Sequence, residues 1–391
     1  MEPTDAAVVL PRSPVDLRVA VAGHLCLDLT PRLSGIERVD PGRLFEVGPL
    51  SVRLGGSVAN TGGDLVDLGL PVILVATVGD DPLGELLRQT VDARPGMSAR
   101  LRTVPGAATS YSLVFETPHS DRTFWHHVGG NAHFDGTEVE EVIGWASGIS
   151  QARRTIDRET GEPRADGLDL LHIGYPNLLP ALVADGGEPL RATLQRARER
   201  GALTSLDLAV IDPESETGQL DWEAILRRVL PETDILTPSI EDLTSALRIA
   251  DPVDDALVER LADQLLQWGA GLVALTVGTR GVFLAGADEE RLRAVRSRVA
   301  FDSRAWANLR VWAPPYLVQD IVTTTGAGDA ATAGFLYGVL TGMDPQHCGT
   351  MAMACAAAIV SGRRTTPPVL AQICACDSLF NGGRAASTTG I

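Results

Sequence analysis

The sequence predicts an α/β fold built on a parallel sheet, and three observations carry that prediction. Short apolar, β-branched runs alternate with helix-compatible stretches along most of the chain, the pattern of repeated strand–crossover–strand units. Glycine turns or polar residues follow several of those runs. The 40 glycines and 24 prolines among 391 residues supply the many tight connections that such a fold needs.

The elements follow in order. Residues 1–16 read as a loose N-terminal arm. Residues 17–22 (LRVAVA) form a buried strand ending at Gly23, with Asp28 just past it. Residues 31–54 have a mixed pattern with little helix signal. A glycine turn at 55–63 leads into a helix carrying Leu65 and Leu68 on one side. Residues 71–78 (PVILVATV) are a strand, closed by Gly79, and 83–91 are a helix. Residues 111–116 and 122–127 pair as a hairpin that breaks the α/β rhythm and reads as a flap.

Strands are then expected at 168–173, 202–206, 234–237 and 272–277, interleaved with helices at 189–200, 222–230 and 258–268. Residues 288–320 are arginine-rich, hold two tryptophans and show no clean period, so they read as an insertion. Two small-residue helices, 330–340 and 345–361, come next, and residues 375–391 form a C-terminal tail. No internal repeat is visible. A single large domain over 17–374 accounts for this organisation.

Composition excludes several function classes. A net charge of −17 argues against nucleic acid or an anionic membrane surface as partner. No apolar run approaches the length of a membrane span. The five cysteines form no C-x-x-C pair, and residues 1–15 lack the charged-then-apolar order of a signal peptide. A cytoplasmic protein is expected. The chain contains no lysine, so neither a P-loop nor a protein-kinase lysine is possible. Any phosphate chemistry must use backbone N–H groups, arginine and metal.

The most informative segment is Thr323-Thr324-Thr325-Gly326-Ala327-Gly328-Asp329 followed by AATAGF. It sets a glycine turn before a small-residue helix. Unpartnered N–H groups and the helix dipole make such a junction an anion site. A carboxylate there would repel a static phosphate. It makes sense as the acceptor of a proton from a hydroxyl that attacks that phosphate. Asp28, the turn at Gly55–Asn60, Gly129-Gly130-Asn131 and the Gly326–Asp329 turn all follow expected strands, where an open parallel sheet forms a crevice.

These motifs resemble the ribokinase-like (PfkB) family of carbohydrate kinases. The resemblance rests on GGSVAN at 55–60 with VATVGDDxxG through Gly84, and on TTTGAGDAAxAGF at 323–335. GGN at 129–131, SLD at 205–207, DILTPS at 234–239 and TVGxxG at 276–281 occur between them in family order. The resemblance implies a doubly wound, mostly parallel sheet with flanking helices. It adds a small β-sheet lid from segments near 31–54 and 106–129.

It also implies ATP-dependent phosphorylation of a hydroxyl on a sugar or sugar-like small molecule. Asp329 matches the family's base, and Gly326, Ala327 and Gly328 its anion hole. Asp28, Gly55, Gly56 and Asn60 match positions that hold sugar hydroxyls, with Asn131 in the same company. Thr276, Gly278 and Gly281 match nucleotide-binding positions. Mg2+ is expected with ATP, and Asp242 or Glu241 fits the acidic position that holds it through water. Thr323 replaces the usual aspartate of a monovalent-cation site, so dependence on that cation is left open.

Arg122, on the flap, has two readings: contact with a phosphate or acidic group of the substrate, or a solvent-facing side chain. Adjacent His126 and His127 point to opposite faces of a strand and make a poor metal pair. Trp125 is the tryptophan expected near the substrate. Phe124 and Trp125 keep a nucleoside kinase open, because a base can stack on them. A non-catalytic sugar- or nucleotide-binding regulator is the alternative from another class. A dinucleotide oxidoreductase fails on the absence of G-x-G-x-x-G after the first strand. Pairing of two copies through the lid is expected from the family.

Overall fold

Burial alternates along the central strand and fixes the layers. In β1 (Val19–Gly23) every residue is buried. Val19 and Val21 join one hydrophobic core, while Ala20 and Ala22 join the other. A strand covered on both faces must be apolar throughout, which is why this run shows no polar alternation. The structure is a computed structural model and describes residues 17–33, 41–115, 123–145, 167–295, 297, 299 and 301–381.

The chain next enters a small sheet through β2 (Cys26–Pro31) and β3 (Leu50–Gly55). It returns to the large sheet with β4 (Val72–Gly79) and β5 (Met97–Val104). The strands β6 (Tyr111–Phe115) and β7 (Thr123–His127) complete the small sheet. The rest belong to the large sheet: β8 (Leu170–Gly174), β9 (Leu203–Asp207), β10 (Ile235–Leu236), β11 (Leu272–Thr276), β12 (Val282–Gly286) and β13 (Arg310–Ala313).

The large sheet has nine strands in the order β13-β12-β11-β10-β9-β8-β1-β4-β5, and the small one has four in the order β3-β2-β6-β7. Neighbours from β11 to β5 run parallel, and β12 and β13 are antiparallel additions at one edge. Helices Ser57–Asp67, Pro82–Asp92, Ala327–Leu340 and Pro345–Val360 cover one face. Helices Thr137–Trp145, Pro180–Glu199, Trp222–Val229, Ile240–Ala246 and Asp255–Gln267 cover the other. The expected doubly wound α/β architecture with a small separate sheet is what the chain adopts.

Some expectations change. The stretch 288–320, read as an insertion, supplies the edge strand β13 and two short helices, Glu289–Arg293 and Ser303–Trp306. Trp306 is buried edge-on against Phe335, with ring centroids 5.8 Å apart. A four-residue strand is too short to show a period. The helix expected from 189 begins at Pro180, with a break at Ala184–Gly187 where the backbone leaves helical angles. Strand β5 was not foreseen. As an edge strand paired only with β4, it exposes arginines between apolar positions and resembles no buried run. The hairpin turn with Arg122, the arm 1–16 and the tail from 382 lie outside the described residues.

Candidate active site

The site is built from a backbone constraint. Gly326 adopts a left-handed conformation (φ 79°, ψ 1°) and opens helix Ala327–Leu340. That angle is easy only for glycine. A Cβ on Gly328 would meet nothing within 4 Å, so this turn faces open space. The N–H of Ala327 donates to the Thr324 carbonyl at 3.3 Å. The turn follows a long loop after β13 instead of a strand end, which corrects the expected crevice geometry.

Asp329 lies in the first turn of that helix and is 3% exposed. Burying a lone carboxylate costs several kcal/mol, so partners are required. Asn60 Nδ2 donates to Oδ2 at 2.9 Å, and Thr61 Oγ1 donates to Oδ1 at 3.1 Å. The Tyr175 hydroxyl is 2.9 Å from both carboxylate oxygens. Burial raises the Asp329 pKa, the bonds from Asn60, Tyr175 and Thr61 pull it back, and the charge of Asp28 adds to the rise. The helix N-terminus also favours the anion.

Asn60 and Thr61 are placed by the glycine turn before their helix. Gly56 has φ 85°, and a Cβ there would sit 2.6 Å from His24 Nδ1. A Cβ on Gly55 would fall 2.4 Å from the Asp28 carboxyl group, so that group lies against bare backbone. Burial raises the Asp28 pKa, and bonds from Cys26 and Ser112 moderate it.

Asp28 is part of a polar row. In the register of the small sheet it stands between Arg53 of β3 and Ser112 of β6, and Ser112 stands opposite His126 of β7. Ser112 Oγ lies 3.1 Å from His126 Nδ1. His126 meets buried His24 edge-on, with centroids 4.9 Å apart. Burial, with the charge of His127 second, lowers the His126 pKa to about 4. Both nitrogens of His24, His126 Nε2, Ser57 Oγ and Asn131 Oδ1 are buried without a hydrogen-bond partner. Asn131 is fixed through its other atom, Nδ2, which donates to the Leu25 carbonyl at 3.0 Å. Such groups cost free energy unless something polar meets them.

On the far side, Asp207 and Asp242 continue the acidic floor. Asp242 is pushed up to about 7, mainly by burial. Its side chain accepts from the Ser239 N–H at 2.7 Å, while Ser239 Oγ accepts from the Asp242 N–H at 3.1 Å. This capping box starts helix Ile240–Ala246 and explains Ser239 locally. Glu241, next to it, is exposed. Asp207 is raised by burial, then by Asp242 and Asp329. Among the described residues no three acidic, histidine or cysteine side chains gather as a metal cluster. Thr276 ends β11, and Gly278 has open space where a Cβ would be. Gly281 serves packing, because a Cβ there would sit 2.2 Å from the Ala313 carbonyl.

The structure thus brings together Asp329, Asn60, Asp28, Gly55 and Gly56. It sets Trp125 in register with Leu113, on the opposite face of the small sheet from Asp28 and His126, which corrects its expected place. Sequence reasoning missed His24, Thr61 and Ser112. Tyr175, just past β8, belongs to no motif legible in the sequence.

The pattern of the "pfkB family carbohydrate kinase" matches residues 181–372. Over those residues the chain is similar to pfkB-family carbohydrate kinases. Among its curated relatives is "Probable fructokinase-6, chloroplastic" of Arabidopsis thaliana, 24% identical over 81% of this chain and 69% of that one. An Arabidopsis thaliana ribokinase complexed with ribose and ATP has a TM-score of 0.64 at 17% identity, covering 93% of this chain and 99% of that one. An adenosine kinase from Sinorhizobium meliloti has a TM-score of 0.64 at 19% identity, covering 92% and 99%. These two structures share the fold of this chain.

Proposed function

We propose that this protein transfers the γ-phosphoryl group of ATP to a hydroxyl of a sugar or sugar-like small molecule. The observation that carries the reading is Asp329, held by hydroxyl and amide donors in the first helical turn behind an open glycine turn. A donor hydroxyl already rests on this carboxylate, which is the geometry that a general base needs toward an alcohol. Asp329 takes the acceptor's proton as its oxygen bonds the γ-phosphorus and ADP leaves. Amides of Gly326 and Gly328 meet the charge on the transferring group, while Ala327, whose N–H already donates to the Thr324 carbonyl, holds the turn between them.

Asn60 positions the base, because its amide is committed to Asp329. Asp28 and Asn131 hold acceptor hydroxyls, the latter through its unpartnered Oδ1. Gly55 and Gly56 bring Asp28 and His24 to the site instead of touching the acceptor themselves. Thr276, Gly278 and Gly281 border the nucleotide. Asp242 and Glu241 would hold the waters of a Mg2+ ion bound to the ATP phosphates, and that ion would supply charge neutralisation there.

The named proteins support this reading: one named "Probable fructokinase-6, chloroplastic", and a ribokinase complexed with ribose and ATP. A nucleoside acceptor is the second reading. It is favoured by Phe124, 48% exposed and on the same face of the small sheet as Asp28 and His126, and by the adenosine kinase of the same fold.

The test is ADP formation from ATP and Mg2+ with D-ribose, D-fructose, an acidic sugar or adenosine. Turnover is expected with at least one of them. Asp329→Asn is expected to lose on the order of 10²–10⁴ in kcat, the usual contribution of a general base. Turnover that survives Asp329→Asn would remove the base from its role. A chain that binds such ligands without turnover would be a regulator.

A further inference from the structure

The three donors on Asp329 are not equivalent. Asn60 and Thr61 are neighbours on one helix, and each addresses one oxygen. Tyr175 comes from the end of β8 and lies 2.9 Å from both oxygens. A phenol has a single proton, so it spans the carboxylate with one donor. A hydroxyl centred there stands where an alcohol must stand to give Asp329 its proton.

Two further observations single out Tyr175. Its backbone is left-handed (φ 58°, ψ 51°), a conformation unusual for an aromatic residue. Such outliers cluster at active sites, ligand clamps and switch regions. Its ring also faces buried His24, with centroids 6.0 Å apart, beside nitrogens that have no partner. Movement of the ring would therefore uncover the carboxylate and polar groups suited to an incoming hydroxylated molecule.

We propose that Tyr175 is a stand-in for the acceptor, its hydroxyl covering Asp329 until the acceptor's hydroxyl replaces it. The inference rests on the phosphotransfer reading above. With the phenol in place, water cannot give its proton to Asp329, and bound ATP is protected from hydrolysis. When the acceptor displaces the phenol, its O–H proton passes to Asp329, its oxygen bonds the γ-phosphorus, and the bond to the ADP oxygen breaks. Tyr175 is thus a positioning residue that makes the base available only with an acceptor present.

Tyr175→Phe removes the hydroxyl and keeps the ring. With ATP and Mg2+ and no acceptor, ADP release is expected to rise at least about fivefold. With whichever of D-ribose, D-fructose or adenosine the unaltered chain turns over, KM is expected to fall by a similar factor while kcat stays within about twofold. A structural role alone would not raise hydrolysis and lower KM together. If Tyr175→Phe does not fold, Tyr175→Met is measured the same way. Unchanged or slower hydrolysis in an active kinase, or a raised KM, overturns the role of Tyr175 and leaves the kinase reading standing. If the unaltered chain makes no acceptor-dependent ADP from any of the three, the phosphotransfer reading falls and this inference with it.

Discussion

At the scale of single residues, burial and charge oppose each other most openly at Asp64. This carboxyl is 7% exposed and accepts from Thr365 Oγ1 at 2.9 Å. Burial nevertheless pushes its pKa up to about 7, with the charges of Asp329 and Asp67 adding to the rise. The folded state therefore keeps a proton that the unfolded chain loses near pH 4. Stability from this group is full below pH 4 and is lost as pH rises toward 7, by up to roughly 4 kcal/mol. Asp64→Asn removes that dependence and can still accept from Thr365. The variant is expected to melt several degrees above the unaltered chain at pH 8.5, with the difference closing toward pH 4. Thermal melts at the two pH values check this, and an equal gain at both would sink it.

Asp329 was legible in the sequence because its signal is local: a glycine turn, a carboxylate and small residues within a dozen positions. Tyr175 was not, because it meets Asp329 across 154 residues of sequence. His24 was hidden for the same reason: it lies between β1 and β2, belongs to no short motif, and meets His126 of β7 only in the fold.

At the scale of elements, the helix that carries Asp329 is seated by glycine contacts. A Cβ on Gly334 would lie 2.5 Å from the Met351 carbonyl oxygen, and one on Gly338 would lie 2.8 Å from Cys348 Sγ. Helices Ala327–Leu340 and Pro345–Val360 can approach closely only because these positions are bare. This close approach explains their small-residue composition. Gly334→Val must push the helices apart and is expected to cost about 1–3 kcal/mol or more. The shift passes to the first turn five residues earlier. Phosphotransfer per folded molecule should therefore fall, while Gly334→Ala should do less of both. Denaturant melts paired with activity check this; full activity in folded Gly334→Val would refute it. Elements were legible where they were long or buried on both faces. They were hidden where an edge strand carries arginines, as in β5.

At the scale of the whole molecule, the small sheet has two unlike faces, and each implies a neighbour. The row Arg53, Asp28, Ser112, His126 crosses all four strands on one side. One residue along each strand, the row Val52, Leu29, Leu113, Trp125 crosses them on the other. Alternation in extended backbone makes one row inner and the other outer. The outer row is apolar, and Trp125 is 56% exposed, Val52 39% and nearby Leu50 55%. A contiguous apolar face on an otherwise acidic chain marks an association site. The pairing of two copies through the lid that the family resemblance implies would set the two small sheets face to face over it. Each strand carries one residue of each row, so fixing the outer face also steadies the strands that present Asp28 and His126. Trp125→Glu is expected to convert a dimer to a monomer by light scattering and to raise acceptor KM severalfold, with ATP KM little changed. A chain already monomeric at tens of micromolar would exclude the pairing, and an unchanged acceptor KM in a monomeric Trp125→Glu would separate the two faces.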